Sequence, residues 1–77
     1  MDNFFEGKLV VVTGGSGFIG SHFLEELVNR GAKVRTHIHN SPLQFQDDRI
    51  EVYQGIDLTK LEDCIKLVEG AEYVIHC

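Results

Sequence analysis

The residues of this sequence with the clearest chemical potential form a glycine-rich stretch at positions 13–20, Thr-Gly-Gly-Ser-Gly-Phe-Ile-Gly. Glycines recur at Gly14, Gly17 and Gly20, and an overlapping series begins at Gly15. In a turn with this spacing, Gly14 or Gly15 takes the tight bend, the next glycine lets the backbone approach a pyrophosphate, and the last lets a helix pack closely on a strand. The N–H groups and the positive dipole end of that helix face the anion. The stretch predicts a phosphate-binding turn, the alternative being a tight strand-to-helix turn that holds no ligand.

The segments on either side of the glycines are the ones that such a turn requires. Residues 8–12 are mostly apolar and β-branched, which predicts a buried strand. Residues 17–30 predict a helix that ends before Gly31. Its apolar side chains recur at helical spacing and are expected on one face, namely Ile19, Phe23, Leu24, Leu27 and Val28.

The second predicted strand, residues 33–39, alternates apolar and polar side chains instead of being apolar throughout. This alternation indicates that one face of the strand, the face that carries Arg35, His37 and His39, is poorly covered. The link that follows, residues 40–49, is short and contains a proline. We expect a loop or a single helical turn there, because a full crossover helix needs a longer and unbroken segment.

The last part of the chain predicts another strand, helix and strand. Residues 50–54 are expected to form an edge strand of the sheet. Thr59 and Glu62 have the spacing of a capping box, and the helix that they begin is expected to end before Gly70. Its apolar positions at helical spacing are Leu61, Cys64, Ile65 and Val68. Residues 72–77 predict the fourth strand.

The order of these elements predicts an α/β fold. Two crossover helices and one crossover loop between four strands imply a parallel sheet in the order 3-2-1-4. We therefore interpret residues 1–77 as a single, partial Rossmann domain, made of one mononucleotide-binding half and one strand of the other half, with no substrate domain.

Three stretches of the chain resemble a known family. Residues 13–20 resemble the TGxxGxxG fingerprint of the extended short-chain dehydrogenase/reductase family, the NAD-dependent epimerase/dehydratase group that acts largely on nucleotide sugars. Residues 56–58, Ile-Asp-Leu, are similar to the Asp-Leu pair that follows the family's third strand, and residues 71–77 are similar to its fourth strand. The resemblance implies a dinucleotide cofactor. The turn residues that it places at the cofactor are Gly14, Gly17, Phe18, Ile19 and Gly20.

The resemblance also implies roles at the adenosine end of the cofactor. Asp57 would accept a hydrogen bond from the adenine amino group, with the backbone of Leu58 beside it, although Asp57 could also simply complement the dipole of the following helix. After the second strand, where an acid usually binds the ribose 2′-hydroxyl, the sequence has Arg35, His39 and Asn40. These groups could accept a 2′-phosphate or merely face water, and they favour NADP slightly over NAD.

No catalytic residue and no metal site are expected within the chain. The family's Tyr-x-x-x-Lys pair has no counterpart, because at that spacing Tyr53 precedes Asp57 and Tyr73 precedes Cys77. The four histidines and two cysteines do not form a recognisable zinc spacing. The resemblance thus predicts cofactor binding without turnover.

Composition limits the possible binding partners and the cellular location of the protein. The net charge of −5 argues against nucleic acid and anionic membranes as partners. No segment approaches the ~20 consecutive apolar residues of a membrane span. The first six residues lack the basic start of a signal peptide. We expect a cytoplasmic protein.

Three functions remain open at this point. The chain could be the cofactor-binding N-terminal segment of an epimerase, dehydratase or reductase that acts on a nucleotide sugar or a related carbonyl or alcohol. It could be a stand-alone nucleotide-binding or sensing module, or a self-associating fragment without catalysis. We expect self-association through the fourth strand or an uncovered sheet face, because a chain of 77 residues has little stability in reserve.

Overall fold

The computed structural model describes residues 4–14, 17–38, 43 and 45–76. Within them the elements are β1 (Leu9–Thr13), α1 (Phe18–Asn29), β2 (Lys33–Ile38), β3 (Ile50–Gln54), α2 (Leu61–Val68) and β4 (Tyr73–His76). The strands form one parallel sheet in the order β3-β2-β1-β4. The predicted fold class and strand order are confirmed. In this described part of the chain, no helix is both long enough and apolar enough to cross a membrane.

The two faces of the sheet are covered unequally. On the face beneath α1, side chains of β1, β2 and β3 form the larger part of the core with three residues of the helix, Leu24, Leu27 and Val28. On the face beneath α2, the core is small and consists of Val11, Ile56 and Leu67. We call these the α1 face and the α2 face. The α2 face therefore leaves more of the sheet for polar side chains.

The alternation in β2 follows from this difference between the faces. Val34 and Thr36 lie buried on the α1 face, and the Thr36 hydroxyl donates a hydrogen bond to the carbonyl oxygen of Val12 at 2.6 Å. Arg35 and His37 lie on the α2 face and are half-buried. The expectation of a poorly covered face holds only in part, because the Arg35 side chain is just 12% exposed. His39 lies outside the described residues.

The buried face of α1 differs from the predicted one. The helix turns Gly20, Ser21, Leu24, Leu27 and Val28 inward. Ile19 and Phe23, which were expected on that face, are exposed, Ile19 by 64%. The small side chains at positions 20 and 21 face the strands, so the helix packs closely there and the larger apolar residues remain outside.

Helix α2 corrects two further predictions. Its N-cap is Lys60 and makes no side-chain capping bond, so the predicted capping box is wrong. The Thr59 hydroxyl instead donates to Oδ1 of Asp57 at 2.6 Å. The apolar repeat is also not the buried face, because Leu61 is 74% and Ile65 is 55% exposed, and Leu67 is the buried residue of this helix.

The described part of the β2–β3 link forms a loop, as expected. Asp47 accepts hydrogen bonds from the backbone N–H of Arg49 at 2.9 Å and from its Nε at 3.0 Å. These bonds hold the pKa of Asp47 below its usual range and raise that of Arg49. The same guanidinium donates to the carbonyl oxygen of Val28 at 3.1 Å, so the loop is tied to the last turn of α1.

An aromatic cluster joins the start of the chain to β4. The ring of Phe4 lies 4.9 Å from that of Phe5 and 5.3 Å from that of Tyr73, measured between centroids. The Lys8 ammonium lies 4.6 Å from the centre of the Phe4 ring. The residues that precede β1 thereby cover the beginning of the edge strand β4.

Candidate dinucleotide-binding site

The carboxyl ends of all four strands lie along one edge of the sheet, because the strands are parallel. In open α/β sheets, ligands bind at this edge. The glycine turn follows β1 there, and the Asp57–Leu58 pair follows β3. The fold therefore places both sequence motifs at the same edge.

Gly14 makes the bend at the end of β1. Its φ of +76° lies in the left-handed region, which a residue with a Cβ rarely adopts. Of the two glycines predicted for this bend, Gly14 takes it, and Gly15 lies outside the described residues. The bend is closed by a hydrogen bond from the Gly17 N–H to the Gly14 carbonyl oxygen at 3.2 Å.

Gly17 is the N-cap of α1, and the free protein does not require glycine at this position. Its φ of −80° and ψ of 173° are extended values that any residue adopts. A Cβ built on Gly17 would have the Gly14 carbonyl oxygen, at 3.6 Å, as its nearest contact, which is an ordinary van der Waals distance. Within the described part of the chain, the space in front of Gly17 is therefore open to a ligand, as a pyrophosphate cradle requires.

The start of α1 is exposed and carries no acid. Its first turn contains neither Asp nor Glu, so no carboxylate opposes the positive end of the helix. Phe18 is 70% exposed, and its ring lies edge-on to that of His22 at 4.7 Å. Ile19 is also exposed, whereas Gly20 is buried against the sheet. These features together suit an anionic ligand flanked by apolar surface.

Two histidines border the glycine turn. The Thr13 hydroxyl lies 2.6 Å from Nδ1 of His76, and the two residues are register partners in β1 and β4. The Gly14 N–H donates to Nε2 of His37 at 3.4 Å. His76 itself is exposed at the sheet edge. The sequence does contain a signal for the contacts, since the strand order 3-2-1-4 puts Thr13 between β2 and β4.

Arg35 has contacts that the sequence did not predict. Its Nε donates to Glu51 at 2.8 Å, and its Nη1 donates to the carbonyl oxygens of Leu67 at 3.0 Å and Glu69 at 2.7 Å. The guanidinium also lies 5.1 Å from the ring centre of Tyr53. Its side chain is only 12% exposed. Arg35 thus binds the C-terminal end of α2 to the sheet, and its charge points into the α2 face.

The Asp57–Leu58 pair is held by residues of the turn and of the first part of α2. Oδ1 of Asp57 accepts from both the N–H and the hydroxyl of Thr59, at 2.9 and 2.6 Å. The Asp57 N–H donates to Oδ2 of Asp63 at 2.9 Å, and the Cys64 thiol donates to the Leu58 carbonyl oxygen at 3.2 Å. Leu58 is exposed at this end of the sheet.

The structure describes eight of the ten predicted cofactor residues and places seven of them at the carboxyl edge of the sheet. Gly14, Gly17, Phe18, Ile19 and Gly20 form one unit, and Asp57 with Leu58 forms the second. Arg35 is directed elsewhere, and His39 and Asn40 lie outside the described residues. Among the residues that the structure does describe, no three His, Cys, Asp or Glu side chains are grouped as a metal site would need.

Known proteins are similar to this chain in sequence and in fold. Residues 10–77 match the model of the NAD dependent epimerase/dehydratase family. The chain is 36% identical over 73 residues to the mouse enzyme sterol-4-alpha-carboxylate 3-dehydrogenase, decarboxylating. The matched region covers 94% of this chain and 19% of that protein. It is 57% identical over 80 positions to aldehyde reductase 2 of Sporidiobolus salmonicolor, covering 92% of the chain and 23% of that protein.

A solved structure gives the same result. The short-chain dehydrogenase of Leptospira borgpetersenii, crystallised with bound NAD+, superposes with a TM-score of 0.77 at 26% identity, covering 100% of this chain and 34% of that one. The chain belongs to the NAD-dependent epimerase/dehydratase family of the extended short-chain dehydrogenases/reductases. It spans only about a fifth of the length of the curated relatives named above.

Proposed function

We propose that this chain is the cofactor-binding N-terminal segment of an NAD(P)-dependent oxidoreductase, epimerase or dehydratase. The observation that carries the proposal is the start of α1, at the carboxyl edge of the sheet. The glycine turn leaves space for a ligand there, and the first turn of the helix has no acidic side chain that would repel an anion from its N–H groups. In the whole protein we propose a nucleotide sugar or a related carbonyl or alcohol compound as substrate. The named relatives, a sterol carboxylate dehydrogenase and an aldehyde reductase, support the broader class of carbonyl and alcohol substrates.

The residues divide into two groups within this proposal. Gly14, Gly17 and Gly20 shape the turn for the pyrophosphate, and Phe18 and Ile19 add exposed surface beside it. Asp57 and Leu58 hold the adenine. A bound nicotinamide dinucleotide supplies the hydride acceptor or donor, whereas the chain itself contributes binding and orientation only. We therefore expect no turnover from these residues, which lack a Tyr-x-x-x-Lys pair.

We propose that fewer residues decide between NADP and NAD than the three that the sequence indicated. We extend the proposed slight preference for NADP only to His39 and Asn40, because the Arg35 guanidinium is already bound to Glu51 and to the end of α2. Replacing His39 with Asp should shift the affinity ratio toward NAD through repulsion of the 2′-phosphate. A ratio that does not change in titrations of the variant would exclude His39 from the site.

The binding proposal is tested by calorimetric titration with ADP and NADP. Gly17→Val should abolish nucleotide binding, because its side chain would occupy the space of the pyrophosphate. The free fold should tolerate the change, since the dihedral angles and the surroundings of Gly17 accept a Cβ. Circular dichroism of the variant provides the control for folding. A folded variant with unchanged ADP affinity would contradict the phosphate site.

A second candidate, self-association, is favoured by the exposure of β4. Tyr73 and Val74 are exposed on this outer strand of the described sheet, and edge strands offer unpaired backbone groups to other chains. We propose that the 77-residue chain associates through β4 or through the thinly covered α2 face. Sedimentation velocity at several concentrations tests this, and a monomer at high concentration would contradict it.

A further inference from the structure

Asp63 connects the first part of α2 to the residue proposed to bind adenine. Its Oδ2 accepts a hydrogen bond from the main-chain N–H of Asp57 at 2.9 Å, six positions earlier in the chain. The side chain of Asp63 is half-buried, in contrast to the exposed Glu62 that precedes it. Asp63 therefore contacts the peptide group directly before the Asp57 side chain.

The rest of the loop restrains the same residue from other directions. Two hydrogen bonds from Thr59 reach Oδ1 of Asp57, and the Lys60 N–H donates to the Asp57 carbonyl oxygen at 3.0 Å. The Leu58 carbonyl oxygen accepts from the Cys64 thiol. In this arrangement, the direction of the Asp57 carboxylate depends on the peptide plane that Asp63 fixes.

We propose that Asp63 is a positioning residue for recognition of the adenine base, acting through the backbone of Asp57. The inference rests on the proposed function, because it concerns how well that site selects its base. A carboxylate on a main-chain N–H forms a charge-assisted hydrogen bond, which is shorter and stronger than a neutral one. Small displacements of a recognising group have large effects on binding, so loss of this bond weakens selection of the base without removing any group that touches it.

The test compares ADP with inosine diphosphate, which carries an oxygen where adenine carries its amino group. The Asp57 carboxylate accepts from the amino group and repels the oxygen, so the full chain should bind ADP more tightly. Asp63→Ala should lower the ratio of the two affinities about tenfold, by weakening ADP binding and leaving inosine diphosphate binding unchanged. Asp63→Asn should retain most of the ratio, since its amide oxygen still accepts from the Asp57 N–H.

Glu62→Ala is the matched control. It removes an acid from the same helical turn, and with it the same favourable interaction with the helix dipole, but Glu62 does not hold the Asp57 N–H. The ratio should not change in this variant. If Asp63→Ala does not fold, Asp63→Glu serves instead, because it keeps the charge and moves the carboxylate away from its present place. It too should lower the ratio.

A double-mutant cycle distinguishes positioning from general stabilisation. In an Asp57→Ala background, Asp63→Ala should have little further effect on ADP affinity, because the carboxylate through which Asp63 acts has been removed. Equal weakening of ADP and inosine diphosphate by Asp63→Ala would show a merely structural role and overturn the inference. An unchanged ratio in the variant would overturn it as well, with the proposed function intact. Failure of the unaltered chain to bind ADP would overturn the proposed function and this inference together.

Discussion

The two helices begin at the same edge of the sheet, but their N-termini have opposite electrostatic character. The first turn of α1 contains no acid, whereas the first turn of α2 contains Glu62 and Asp63. A glycine turn leads into α1, and its N-cap makes no side-chain capping bond. At α2 the acid Asp63 is bound to the loop that precedes the helix. Under the proposed function, this difference separates an anion site from a base site: the positive end of α1 is left open for phosphate, and carboxylates lie at the positive end of α2, beside the proposed adenine site.

The largest effect is expected when an acidic residue is placed in the first turn of α1, which removes the electrostatic difference between the two helix N-termini. Ile19 is exposed and lies in the first turn of the helix. Ile19→Asp should reduce ADP affinity by about 100-fold through repulsion of the phosphates. The same change should leave the free energy of unfolding unchanged or slightly higher, because an acid suits a helix N-terminus.

Ile19→Asn is the control, since it is polar and of similar size but uncharged. It should retain most of the affinity in calorimetric titrations. Loss of binding in both variants would mean that the apolar side chain, and not the absence of charge, is what matters at this position.

The next largest effect, on stability, is expected at the C-terminal ends of the helices. Arg35 binds two carbonyl oxygens at the end of α2, those of Leu67 and Glu69. Arg35→Ala should lower the free energy of unfolding by about 2 kcal/mol, as expected for charge-assisted hydrogen bonds at a half-buried site. Urea denaturation measures this loss.

Arg30→Ala is the comparison for this experiment, because the Arg30 side chain forms an exposed pair with Glu26 at 3.3 Å. It should cost less than about 0.5 kcal/mol. If Arg35→Ala left stability unchanged and instead lowered NADP affinity, Arg35 would be a phosphate ligand after all.

The smallest expected effect concerns the charge on α2. Glu62→Gln removes one of the two acids and should lower the free energy of unfolding by about 0.5 kcal/mol at low salt. The loss should shrink as salt is added, because exposed charges are screened. Thermal melts at two ionic strengths check this. A loss that is independent of salt would show that Glu62 contributes by packing and not by charge.

The sequence predicted those features that depend on neighbouring residues. The strands, the bounds of both helices to within one or two residues, and a bend at Gly14 or Gly15 follow from local patterns of apolar residues and glycines. The strand order followed from the connections between elements. The motif residues 13–20 and 56–58 could likewise be placed at the carboxyl edge without coordinates.

The features that were missed depend on contacts between distant parts of the chain. The fit of Leu67 to the sheet decides which face of α2 is buried. Ile65 is also strongly apolar, but it lies on the exposed side of the helix. Arg35 has a long side chain that reaches a helix 32 positions away. Thr59 could have capped the helix, but Asp57 offers its hydroxyl a nearer acceptor. The local propensities of the residues do not determine these contacts.

The position of β1 has a consequence for synthesis on the ribosome. Thr13 and its partner His76 are 63 positions apart, and β1 lies between β2 and β4 in the finished sheet. At a translation rate of about 5–20 residues per second, roughly 3–13 s separate the two residues. During that interval β1 can pair with β2, but its other side has no strand to join. The nascent chain therefore exposes the unpaired backbone N–H and C=O groups along one side of β1 until β4 is made, and this is the period in which chaperone contact would matter most.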